Sequence, residues 1–117
     1  MALSRAHRIE PKPSTKHIRV EHDGQVLAES DRALELHEQG LPVRYYLPRE
    51  DVRMDLLLPS PTRSHFPFKG DASYFSAPGA RDAFWSYEQP IDGREDITGL
   101  IAPWPGRVDV IVDGEPV

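Results

Sequence analysis

Residues 17–30 read HIRVEHDGQVLAES, and the reading of this stretch decides the fold class. Ile18 and Val20 share one side of an extended chain, while Arg19 and Glu21 take the other. Side chains of a strand point alternately to its two faces, so this spacing buries one face and wets the opposite one. Asp23-Gly24 follows at once. Both central positions of a type I′ turn need positive φ, which Asp and Gly adopt readily. The chain is therefore set to reverse there and return as a second antiparallel strand.

The same alternation recurs on either side. Leu34 and Leu36 alternate with Glu35 and His37 over 33–37, and VRYYL (43–47) follows a turn around Gly40. Residues 83–87 (AFWSY) are aromatic and strand-like, and RVDVIVD (107–113) sets Val108, Val110 and Val112 on one face. Pro48-Arg49-Glu50-Asp51 has the early proline and acidic first turn of a helix start, with Val52 and Leu56 four apart on one side. Pro59 and Pro61 end that helix, and residues 93–101 leave room for one or two more turns. About seven short strands with one or two short helices predict a mainly β fold, either a compact antiparallel barrel or a two-sheet sandwich.

Composition points the same way. A chain of 117 residues is one domain by length. Its 12 prolines are about twice the usual share and argue against long helices, since an interior proline removes a hydrogen bond and clashes with the preceding turn. Residues 1–15 carry Arg5, Arg8 and Lys12 around Pro11 and Pro13 and read as a basic arm, ordered only if something pins it. Residues 16–117 are then the single β-rich domain. With 14 basic against 19 acidic residues the net charge is −5, the opposite of what a nucleic-acid binder needs to replace phosphate counterions.

The absence of cysteine removes disulfides, thiolate metal sites and thiol catalysis together. No apolar run approaches the roughly 20 residues of a membrane span, and the basic N-terminus lacks the apolar centre of a signal peptide. The expectation is a cytoplasmic protein. There is no glycine-rich phosphate loop and no serine in a nucleophile elbow, so no cofactor is indicated. His17, His22 and His37 lack the spacing of metal ligands.

The chemistry concentrates in TRSHFPFKGDASYFS (62–76). If residues 63–69 run extended, Phe66 and Phe68 point into the core and Arg63, His65, Pro67 and Lys69 point out. Gly70 permits a sharp turn that bares amide groups. A guanidinium fork, an ammonium and free N–H groups suit a phosphate or carboxylate, and His65 is the candidate acid or base. Arg53 would assist, and Tyr74 and Trp85 would pack the organic part of the ligand. The same residues also have a structural reading. Asp55 and Asp71 would then pair Arg63 and Lys69, His65 would be a bonded surface residue, and Tyr74, Trp85 and Tyr87 would be core. Asp109 and Asp113 are the carboxylate pair that a Mg²⁺ site would want, but Asp113 also precedes Gly114 as an ordinary turn residue.

Three segments in order carry a family resemblance: LPVRYYLPREDVRMDLLLPSPTRSHFPFKGDASYFS, AFWSYEQP and RVDVIVDGE. Over roughly residues 17–115 the chain resembles domain of unknown function 427, a family sometimes given a nucleotidyltransferase label. The matching positions are Tyr45, Tyr46, Pro48, Asp51 and Val52, then His65, Pro67, Lys69, Gly70, Ala72, Ser73 and Tyr74, then Trp85, Tyr87 and Pro90. The resemblance implies a small, mostly β domain. Phe66 stands where many relatives have Cys and Phe68 where they have Tyr or Trp, so any mechanism resting on that Cys is absent here. Pro103 and Pro105 interrupt a strand-like stretch, so the last pairing should begin near Arg107.

Two functions follow from these residues. In the first, the domain binds a small anionic ligand (phosphate, nucleotide or carboxylate) through Arg63, His65 and Lys69. In the second, that cluster is structural and the protein is a non-catalytic binding or assembly module, a homodimer, working through an exposed apolar or edge-strand surface.

Overall fold

The computed structural model of the chain describes residues 8–117. The hairpin read from residues 17–30 is there: β2 (Ile18–His22) and β3 (Gln25–Ser30) pair antiparallel across Asp23 and Gly24, whose φ values are 50° and 80°. On its other side β2 pairs with β10 (Asp109–Val112), and Asp113-Gly114 repeats the same turn into β11 (Glu115–Pro116). This sheet has the order β11-β10-β2-β3. A second sheet, β1-β4-β5, is built from Ile9–Pro13, Leu34–Glu38 and Arg44–Tyr46. The third runs β6-β7-β8-β9 and comprises Leu58–Phe66, Gly70–Ala77, Ala80–Ser86 and Ala102–Pro103.

The fold is mainly β and antiparallel, as expected, but it is neither a barrel nor a two-sheet sandwich. Among the described residues there are three sheets, none closed on itself, and eleven strands instead of seven. Proline explains the miscount. Pro11 and Pro13 lie in β1, Pro59 and Pro61 in β6, Pro103 in β9 and Pro116 in β11, and each of these strands is a sheet edge. A proline cannot donate to a ladder, so it breaks a central strand yet is tolerated where one side has no partner.

The expected short helices shrink to single 3-10 turns at Arg49–Asp51, Met54–Leu56 and Glu95–Ile97. Arg53, with ψ of 74°, separates the first two, so Val52 and Leu56 never share a helix face. Of the expected arm, residues 1–7 lie outside the described residues. Ile9–Pro13 is a strand pinned along β4, in register from Ile9 opposite Glu38 to Pro13 opposite Leu34.

β7 and β8 divide the interior. Phe75 and Phe84 are partners across the two strands, as are Tyr74 and Trp85. Alternation sends the phenylalanines to one side of the sheet and Tyr74 and Trp85 to the other. The first side meets Ile18, Val20, Leu27, Val108 and Val110 in a core of aliphatic residues and alanines with Phe84 at its centre. The second meets Leu36 and Tyr46 of the β1-β4-β5 sheet in an aromatic core that also holds Tyr87 and, at its margin, Trp104. Paired bonds between Leu47 and Ile101 (2.8 and 2.9 Å) join β5 to the segment before β9 and hold the two walls of the second core together.

Candidate functional site

The strand that carries Arg63 and His65 ends at Phe66. A three-residue loop, Pro67 to Lys69, then closes with the Lys69 amide donating to the Phe66 carbonyl at 3.0 Å. Strand alternation stops where the loop starts, so Lys69 turns inward instead of out, while Phe66, still in the strand at its end, is only partly covered. Phe66 is 40% exposed and meets Tyr87 edge-on, with ring centroids 6.3 Å apart. Lys69 is only 8% exposed, and its ammonium lies over the Phe66 ring and bonds the Glu38 carboxylate of β4. The partner is therefore Glu38 and not Asp71. Gly70 has φ of 121°, and a Cβ there would sit 3.3 Å from the backbone of Pro90 and Ile91, so the glycine serves the close approach of that segment.

The trio Arg63, His65 and Lys69 is split between two faces. The Arg63 guanidinium donates to the carbonyls of Ser60 (2.9 Å) and Thr62 (2.7 Å), not to Asp55. His65 Nδ1 lies 2.7 Å from Asp71 on the exposed surface. Arg63 and Asp71 border a shallow open depression with Ser73, Glu88 and Gln89. Arg53 is exposed and pairs with Asp55 at 2.8 Å, bordering neither that depression nor the cleft described next. Asp113 is a turn residue whose carboxylate accepts the His17 amide at 2.8 Å. Among the described residues no three His, Asp or Glu side chains are grouped to hold a metal ion. No helix among them is long and apolar enough to cross a membrane.

Lys69, Tyr74 and Trp85, by contrast, converge. They line a half-enclosed cleft of about 210 Å³ that opens from the aromatic core. One wall comes from the β1-β4-β5 sheet and its following turn, with Leu36, Glu38, Leu41 and Arg44; the other comes from Tyr74, Trp85 and Tyr87, with Trp104 and Phe66 at the sides. The rings fix one another. Trp85 and Trp104 meet edge-on at 5.9 Å, and Tyr46 meets Trp85 edge-on at 6.1 Å. The Trp85 indole N–H donates to the Tyr46 hydroxyl at 3.0 Å, and the Tyr74 hydroxyl donates to Ser64 Oγ at 3.0 Å.

The cleft's electrostatics follow from burial. Loss of water pushes the Tyr46 phenol up to about 12, and the indole bond offsets only part of this. Tyr87 is 1% exposed and is driven higher still, first by burial and then by the neighbouring phenols and Glu38. Both phenols therefore keep their protons at neutral pH. The Tyr87 hydroxyl makes no hydrogen bond among the described residues. Protein cations already stand over three of the rings: Arg44 over Trp85 at 5.9 Å, Lys69 over Phe66 at 5.4 Å and Arg107 over Trp104 at 3.7 Å. Arg44 has no ion-pair partner among the described residues.

Sequence reasoning missed Glu38, Arg44 and Trp104. Arg44 alternates with Tyr45 in VRYYL and was readable as facing Tyr46, two positions on; Glu38 is 31 residues from Lys69, and no local pattern points to the pair.

A family model described as Domain of unknown function (DUF427) matches residues 10–114. The chain belongs to the DUF427 family. No curated protein matches it. In this DUF427 domain the match begins inside β1, so the edge strand that an arm reading would have set aside is part of the family's domain. Of the family motif, Lys69, Tyr74, Trp85 and Tyr87 line the cleft, Tyr46 supports Trp85, and Gly70 with Pro90 makes the backbone bridge beneath Lys69.

Proposed function

We propose that this DUF427 domain binds a small ring compound carrying an anionic group, with the ring among Tyr74, Trp85 and Trp104 and the anion toward Arg44 and Lys69. The observation that carries this reading is the charge of the cleft lining, which among the described residues sets two cations, Arg44 and Lys69, against one carboxylate, Glu38. The occupied ring faces support it. Aromatic cages recognise cations through open π faces, and here Arg44, Lys69 and Arg107 already take them, so a cationic guest meets repulsion. The Tyr87 hydroxyl adds a donor on the cleft wall that a ligand oxygen would satisfy. Arg63, His65 and Arg53 lie outside the cleft and have no part in this binding. The alternative, assembly through an exposed sheet edge, has the edge prolines against it, since they blunt strand addition.

The test is a thermal-shift series with small aromatic and heterocyclic acids on the wild type, Arg44→Ala and Tyr87→Phe. A ligand at 100 times its Kd adds about 2.7 kcal/mol of stability, a rise of roughly ten degrees for a domain this size. That rise should fall at least by half in both variants. No rise with any acid, or a rise that neither substitution changes, removes the reading.

A further inference from the structure

We infer that the ligand is a monoanion on one or two fused rings, a carboxylate rather than a phosphate ester, and that Glu38 sets this choice. The inference rests on the binding reading above and narrows it through size, charge and hydrogen bonding. Pockets for drug-sized molecules run from about 300 to 1,000 Å³. At about 210 Å³ the cleft is smaller, enough for a ring with one substituent and too small to enclose a nucleotide.

Charge is the stronger argument. Among the described residues Lys69 is met by Glu38, and both side chains are 10% exposed, so the two charges largely offset each other and Arg44 is the surplus cation of the lining. A carboxylate matches that surplus. A phosphate monoester carries about −1.5 to −2 at neutral pH and would set its second charge against Glu38 where water screens poorly. Glu38 makes the Tyr46 and Tyr87 phenols harder to ionise, so its field reaches the aromatic core.

Hydrogen bonding agrees. The Trp85 indole and the Tyr74 hydroxyl are spent on Tyr46 and Ser64. Tyr87's hydroxyl, which makes no hydrogen bond among the described residues, the Arg44 guanidinium and the further N–H groups of Lys69 remain as donors. They suit the two oxygens of one carboxylate.

Titrations of ¹⁵N-labelled protein with benzoate, phenyl phosphate and uncharged benzamide, followed at the Trp85 and Trp104 indole resonances, test this. Benzoate should bind the wild type at least about tenfold more tightly than phenyl phosphate, the ratio for roughly 1.4 kcal/mol of added repulsion. Glu38→Gln should bring the two within about threefold. If that variant fails to fold, the double variant Glu38→Gln/Lys69→Met removes both charges together and should erase the preference as well. Phenyl phosphate binding as tightly as benzoate, or a preference that survives both variants, overturns the choice of anion while leaving the cleft a binding site. Benzamide matching benzoate refutes anion binding, and silence from all three probes refutes the binding reading itself.

Discussion

Phe84 and Trp85 are successive residues on β8, and they serve the two cores of the molecule. On the Phe84 side valine, isoleucine, leucine and alanine close around the ring. On the Trp85 side the residues are larger, partly polar and arranged about a gap, with phenols, a buried lysine and a carboxylate. Small aliphatic side chains interdigitate to near-crystalline density. Rings that meet edge-on, with their polar atoms tied to one another, keep a shape that need not collapse when nothing fills it. The first core is what a fold requires of its interior. The second gives up some packing for a defined hollow.

The largest test of this contrast is at β8. Phe84→Ala should cost about 3 to 5 kcal/mol in urea unfolding. Trp85→Ala should cost less, about 2 kcal/mol, though indole is the larger group, because one side of it already faces the cleft. A greater loss for Trp85→Ala would mean the second core is as closed as the first.

Next comes the ion pair. Lys69→Met takes the ammonium away from a carboxylate that is 10% exposed and should cost about 3 kcal/mol, with most of it returning in Lys69→Met/Glu38→Leu. A double variant no more stable than the single would show that the second core depends on the pair itself.

The smallest effect is expected away from both cores. His17 lies between Asp31 (2.6 Å) and Glu29 (2.8 Å), and these bonds, Asp31 first, raise its affinity for a proton. The folded chain therefore holds that proton more tightly than the unfolded chain. The stabilisation is complete below the ordinary imidazole value of about 6.5 and is lost as pH rises through the raised folded value. Urea midpoints of wild type and His17→Gln should differ at pH 5.5 and converge by pH 9; equal midpoints at both would remove the contribution.

Much of the first core was legible because its signals are local. Ile18 with Val20 and Val108 with Val110 alternate within single strands, and Asp23-Gly24 names its own turn. The Pro-bearing edge strands were not legible, because tolerance of proline depends on whether a neighbour lies alongside, which is a tertiary fact. Lys69 was misplaced for a related reason: alternation from Arg63 holds only while the chain stays extended, and the loop at 67–69 rotates the next side chain inward. Tyr74 and Trp85 were readable as pocket or core, and they belong to both. Glu38 and Trp104 reach the cleft only through sheet pairing, so the charge that tunes the site had no signature in the sequence.

The placement of β2 between β3 and β10 also bears on how the chain is made. Its hairpin partner follows within three residues, but its other neighbour begins at Asp109. Contacts of such long sequence separation slow folding, because the intervening loop must close before they form. During synthesis the hairpin can assemble early, yet one side of β2 stays bare until residues 109–112 have left the ribosome. Val20, opposite Val110 in the finished sheet, lacks that neighbour for the interval. Until β10 joins, the open edge of β2 is a place where a wrong strand can pair.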